Sequence, residues 1–180
     1  MFMLNEFPMQ MTIKKATKND AAILALLAQI TFKEAFGHVW DKAVLKNYLK
    51  RTFSVQKMES SIEKSNNVFW LAYADELPVG YAKLKVFSPY EKLTDPKPAQ
   101  LQKIYLLNDY IGYKIGQQLQ ETLFEQVKAE GVKTLWLAVW VGNDKAIKFY
   151  ERHGFKKEST YHYDFESMSF DYEVMTKSFK

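Results

Sequence analysis

Apolar positions recur along this chain with two periods, and the switches between them mark its elements. Ile115, Leu119, Leu123 and Val127 return every four residues, one stripe along a helix of about four turns. Just before it, Ile104-Tyr105-Leu106-Leu107 is a short run of β-branched, aromatic and aliphatic residues that suits a strand. After it, Thr134–Val141 (TLWLAVWV) reads as a second buried strand. Gly131 stands where a helix C′ residue belongs. Asn108-Asp109 makes a turn, and Gly112 and Gly116 bracket a tight passage into the helix. A helix that starts from such a loop offers free N–H groups and the positive end of its dipole, both of which attract phosphate. An ordinary crossover with a glycine for close packing would look the same over this stretch.

The remaining elements follow from the same patterns. Met11–Ala16 alternates as a first strand. Asn19-Asp20 offers an N-cap for a helix over Ala21–Phe36, with Ile23, Leu26, Leu27, Ile30 and Phe36 expected inward and Gly37 ending it. Asp41–Thr52 and Val55–Lys64 read as two shorter amphipathic helices. Val68–Ala74 and Val79–Phe87 form an antiparallel hairpin through Asp75-Glu76-Leu77-Pro78. Ser88–Ala99 is the proline-dense stretch and is expected to be a loop over an active-site edge. Asn143–Phe155 is a short helix, and Lys156–Phe165 with Phe170–Ser178 closes the chain as an antiparallel pair. The expected fold is α/β in one domain: a mixed, mostly antiparallel sheet, helices on both faces, and a central parallel strand pair. Residues 1–10 read as an N-terminal extension and residues 11–180 as that domain.

Composition narrows the chemistry. The 180 residues suit one domain. With no cysteine there is no disulfide or thiolate chemistry, in keeping with a reducing, cytoplasmic setting. The three histidines lack an H-x-x-x-H spacing, so no metal is expected. A net charge of +4 helps to draw in a polyanionic cofactor, but its spread argues against nucleic acid. The opening MFMLNEFPMQ has neither a basic start nor a continuous apolar run, so no membrane partner is expected.

Over Gln102–Phe155, strand, loop, helix and strand lead into NDKAIKFYERHGF, and this order resembles the GNAT superfamily of acyl-CoA-dependent N-acyltransferases. The N…A..FY…GF signature lies in Asn143–Phe155. The stretches TFKEAFGH and LQKIYLL are similar to the spermidine/spermine acetyltransferase-like, PaiA-type branch. The resemblance implies acetyl-CoA as co-substrate and a small-molecule amine, such as a polyamine, as acceptor; a homodimer is compatible with it. It also implies that Ile104, Tyr105 and Leu106 of the strand hold the cofactor, together with Gly112, Tyr113, Lys114, Ile115, Gly116 and Gln117 of the loop. Asn143 would contact the cofactor arm, and Tyr150, two helical turns on, would protonate the departing thiolate. Both residues have plainer readings: Asn143 as an N-cap, Tyr150 as packing beside Phe149. The loop departs from the family's Q/R-x-x-G-x-G/A pattern: Ile111 replaces the polar first residue, and Lys114 replaces the middle glycine. Lys114 is expected in the first turn of the central helix.

Acyl transfer needs an unprotonated amine, a donor to the developing oxyanion and a proton for the thiolate. Glu34 and His38, four residues apart near a helix end, are candidates to take the amine's proton, or a solvated capping pair. Trp40, Tyr90, Tyr161 and Tyr163 would line an acceptor slot, and Glu158, Asp164 and Glu166 would hold a second ammonium group. The readings left standing are an acetyltransferase for a small amine, one for a protein or peptide amine, and an acyl-CoA-binding inactive paralogue. A nucleotide-binding P-loop is disfavoured because G-x-x-x-x-G-K-[ST] does not occur.

Overall fold

The computed structural model describes residues 9–180; most of the expected N-terminal extension lies outside them. Seven strands form one sheet: β1 (Met11–Lys15), β2 (Asn67–Ala74), β3 (Leu77–Lys85), β4 (Ala99–Leu106), β5 (Thr134–Trp140), β6 (Lys156–Phe165) and β7 (Met168–Ser178). Their order is β1-β2-β3-β4-β5-β7-β6. Every neighbouring pair is antiparallel except β4 and β5. Among the described residues five α-helices complete the fold: α1 (Ala21–Phe36), α2 (Lys42–Thr52), α3 (Val55–Ile62), α4 (Ile115–Ala129) and α5 (Asp144–Arg152). The α1–α3 group packs on one face of the sheet, against Phe69, Leu71 and Tyr81. On the other face α4, with Tyr150 of α5, packs against Trp70, Ala72, Ala82 and Leu84. Among the described residues no helix is long and apolar enough to cross a membrane.

The α4 stripe is a single face: Ile115, Leu119, Leu123 and Val127 are all fully buried. In α1 the inward face differs from the expected one. Ala21, Leu24, Ala25, Leu27, Ala28, Thr31 and Phe32 are buried, whereas Leu26 is 61% and Ile30 38% exposed. The helix is apolar on nearly every side, so its bulky residues do not set its phase. The buried face mixes Ala21, Ala25 and Ala28 with Leu24, Leu27 and Phe32.

The β2–β3 connection is also tighter than expected. Asp75 and Glu76 alone form the turn, both with positive φ (46° and 68°), the geometry of a two-residue type I′ hairpin. Leu77 and Pro78 already belong to β3. Pro78 is tolerated because the register shifts beside it, between Ala72 and Tyr73. Gly80 then lets β3 close on β4: a Cβ there would collide with the Leu106 side chain and lie 2.7 Å from the Tyr105 carbonyl oxygen.

A second register shift aims the site. Lys83 pairs with Lys103 but Leu84 pairs with Leu101, so Gln102 is the extra residue of a bulge in β4. Such a bulge reverses which side chains face which side of a sheet. Ahead of it Ala99 and Leu101 face the α4 core; beyond it Ile104 and Leu106 do so. Lys103 and Tyr105 are thereby turned to the α1–α3 face.

Candidate active site

β4 and β5 pair only at Ala99–Leu135 and Gln100–Trp136. Beyond those two residues the ladder stops, leaving a crevice where Leu101–Leu106 and Leu137–Trp140 face each other without strand hydrogen bonds. A cavity of about 410 Å³ opens at this split. Its floor is β4 from Gln100 to Tyr105 with Ala138, Val139 and Trp140 of β5; α5 contributes Asn143, Ala146 and Tyr150. The structure thus brings together Ile104, Tyr105, Asn143 and Tyr150.

The opposite wall is aromatic. Phe32 and Phe36 of α1, their ring centroids 4.6 Å apart, lead to Trp40 and Tyr48. Tyr161 and Tyr172 of the last hairpin stack at 5.2 Å, with Tyr163 beside them. Trp40, Tyr161 and Tyr163 therefore line the cavity. Tyr90 stacks instead on Trp136, at 5.1 Å, and is not part of this lining. Phe36, Tyr48, Trp140, Tyr172 and Lys103 were not anticipated. Phe36 depends on the phase of α1 and Lys103 on the bulge in β4, neither of which a local pattern reveals; Tyr48, Trp140 and Tyr172 come from three other elements that only the tertiary fold brings together.

Tyr150 is buried, its ring set edge-on to Phe149 at 5.4 Å and to Phe155 at 5.6 Å. Burial alone holds its pKa far above the ordinary tyrosine value, so the hydroxyl keeps its proton at any working pH. Tyr172 is pushed up to about 12, chiefly by burial and then by Tyr161. Among the described residues Lys103 is the one basic side chain in the lining, and no carboxylate is present there. Burial lowers its pKa to about 8. Asn143 is the N-cap of α5, its side chain accepting from the Ala146 N–H at 3.2 Å.

The loop ahead of α4 leaves the helix start open. Gly112 has φ +100°, and Lys114, the N-cap residue itself, sits in the left-handed region at φ 63°. Lys114 thus precedes the first helical turn and does not lie in it. No side chain caps this end, and no acidic residue occupies the first turn. The first N–H groups of the helix, those of Ile115, Gly116 and Gln117, are left for another partner. Leu106 packs into the core over Gly116, 3.6 Å from where a Cβ would stand, so only its backbone faces the crevice edge.

Glu34 and His38 are exposed and lie outside the cavity lining. The Glu34 carboxylate accepts the Asn108 N–H at 3.0 Å, tying the end of α1 to the 3₁₀ turn Asn108–Tyr110 that follows β4. Glu158, Asp164 and Glu166 are likewise exposed and outside the lining. Asp164 is engaged by His162 and Ser169 on the hairpin surface.

A split parallel pair, an uncapped helix start at one end and a buried tyrosine beside the split define an acyltransferase-type fold. The chain belongs to the acetyltransferase (GNAT) family, whose model matches residues 24–155. It is similar to the spermidine N(1)-acetyltransferase of Thermoplasma acidophilum, 26% identical over 161 residues, or 87% of this chain and 95% of that one. It is also similar to an uncharacterized N-acetyltransferase in the pepI 3′ region of Lactobacillus delbrueckii subsp. lactis, 26% identical over 82% of this chain and 85% of that one. Among solved structures, the PaiA N-acetyltransferase of T. acidophilum in complex with coenzyme A superposes with a TM-score of 0.76. That match has 23% identity and covers 95% of this chain and all of that one. These relatives agree with the PaiA-type resemblance.

Proposed function

We propose that the protein transfers the acetyl group of acetyl-CoA to the primary amine of a small molecule, in the cytoplasm. The observation that carries this reading is the buried Tyr150 in the wall of the cavity at the β4–β5 split. The residues present fit the cofactor. The uncapped start of α4, with Gly112 and Lys114 in left-handed conformations, suits its phosphates. The unpaired edge of β4 over Ile104–Leu106 suits its amide-bearing arm, which would bond to it as a strand does. Asn143, already the cap of α5, would present its remaining amide protons to that arm.

The amine nitrogen forms a bond to the thioester carbonyl carbon, the carbon–sulfur bond breaks, and the thiolate takes the Tyr150 proton. Burial keeps Tyr150 protonated before the reaction, and the phenolate left after donation regains its proton from the one the amine releases. The amine loses its own proton to water or to a base at the cavity mouth. The aromatic wall of Phe36, Trp40, Tyr48 and Tyr172 excludes water and disfavours a charged ammonium unless it lies over a ring face.

Polyamines are the first acceptors to test, on the strength of the Thermoplasma spermidine relative. The lining itself, aromatic with a single lysine, equally suits a monoamine with an apolar body. Turnover with a panel of polyamines, aryl-alkyl monoamines and a peptide N-terminus, followed by thiol release, decides the class. Thiol release with none of them, alongside tight acetyl-CoA binding, would favour a binding protein that has lost catalysis.

A further inference from the structure

A second cavity, of about 460 Å³, lies on the α1–α3 face between α3 and the β2–β4 strands. Among the described residues it is lined by four lysines, Lys57, Lys64, Lys83 and Lys103, and no carboxylate. Lys83 and Lys103 are direct cross-strand partners, turned to the same face by the Gln102 bulge. Like charges placed opposite one another on a sheet destabilise it. Among the described residues neither lysine has an acidic partner: the Lys–carboxylate pairs join Lys18 to Glu63, Lys128 to Glu125 and Lys157 to Glu173. Each ammonium rests instead near an aromatic ring, Lys83 at 5.2 Å from the Phe69 centroid and Lys103 at 5.4 Å from Phe53.

We propose that this cavity is a binding site for a small dianion, a phosphate or a dicarboxylate, clamped between Lys83 and Lys103 beside the first turn of α3. The ligand would supply the countercharge that the described residues do not. The charged groups facing the pair are Lys57 and Lys64 from the α3 side and Lys85 along β3, all of one sign. Burial first, then Lys103, Lys64 and Lys85, lower Lys83 to about 8, as expected of a cation without a partner. Ser54, whose hydroxyl accepts the Lys57 N–H as the cap of α3, adds a hydroxyl donor at the rim. Lys103 also lines the cavity at the β4–β5 split, so the two sites share one side chain. An anion here would hold the Lys103 ammonium away from the acceptor and keep it charged.

The test is thermal unfolding of the full chain in an anion-poor buffer, titrated with inorganic phosphate or with malonate, against sodium chloride at matched ionic strength. Wild type should gain several degrees with one or both probes. Lys83→Met, which keeps the side chain's bulk, should start more stable than wild type and gain much less; Lys83→Arg should restore the response. Phosphate held at the start of α4 would stabilise all three proteins alike, so the difference between them carries the result. A response to malonate alone or to phosphate alone supports the site and names its ligand class. Equal gains in wild type and Lys83→Met, or gains that sodium chloride reproduces, would overturn it.

Discussion

Lys114 occupies the place of the family's middle glycine, and its left-handed backbone (φ 63°) shows what that glycine is for. An L-residue there carries roughly 1–2 kcal/mol of steric strain that glycine does not. Its ammonium also stands at the positive end of the α4 dipole, an unfavourable placement of about 0.3–1 kcal/mol. Lys114→Gly relieves both but gives the unfolded chain more freedom, which costs about 0.4–1 kcal/mol. The net is a stabilisation of about 1 kcal/mol, or a rise in melting temperature of roughly 2–4 °C for a chain of this size. Lys114→Ala relieves only the charge and should gain about 0.3–1 kcal/mol, no more than Lys114→Gly. Cofactor affinity should move the other way. A lysine reaching the cofactor's phosphates makes a charge-assisted contact of about 1.5 kcal/mol, close to tenfold in affinity, and salt should screen it. Thermal unfolding without cofactor, with acetyl-CoA calorimetry at low and high salt, reads both effects. If both variants bind acetyl-CoA as tightly as wild type at low salt, the lysine does not serve the phosphates. If Lys114→Gly is no more stable than wild type, the backbone argument itself fails.

Three further outcomes are expected. Tyr150→Phe keeps the ring's packing and removes the proton donor, so kcat with the best amine of the panel should drop by about 10² to 10⁴-fold while acetyl-CoA affinity holds; undiminished turnover would remove Tyr150 from the chemistry. A Glu34→Gln, His38→Gln double variant should keep the pH profile of kcat/KM, because neither side chain lines the cavity, whereas Glu34→Ala should lose about 1 kcal/mol in urea denaturation as the Asn108 N–H loses its acceptor; a displaced profile would restore the pair as a proton relay. Without added anion, wild-type stability should rise as pH goes from 8 to 10. Lys83 and Lys103 titrate near 8 in the folded chain but near 10.5 when unfolded, so across that window the unfolded state binds more protons. Lys83→Met should flatten the rise, and a flat wild-type profile would show that the two lysines are not desolvated as the fold implies.

How much of this was legible in advance depends on how many residues fix each feature. The α4 stripe was legible because four large residues share one face while the other faces are polar. The phase of α1 was not, since an almost wholly apolar helix can be turned without any local penalty, and contact with the sheet decides. The site divides in the same way. Asn143 and Tyr150 are placed by a helix of nine residues that starts directly after β5, so their spacing carries them to the split. Lys103 and Tyr105 are placed by a single extra residue in β4. Nothing about Gln102 itself marks a bulge; the shift becomes visible only when Leu84 is seen opposite Leu101. That one residue puts Tyr105 in the cavity at the β4–β5 split and sets Lys103 directly against Lys83. Remove it, and Lys103 and Tyr105 would change sides, closing the anion cavity and the aromatic wall together. The two sites are therefore two consequences of one register shift, which is why they share a side chain.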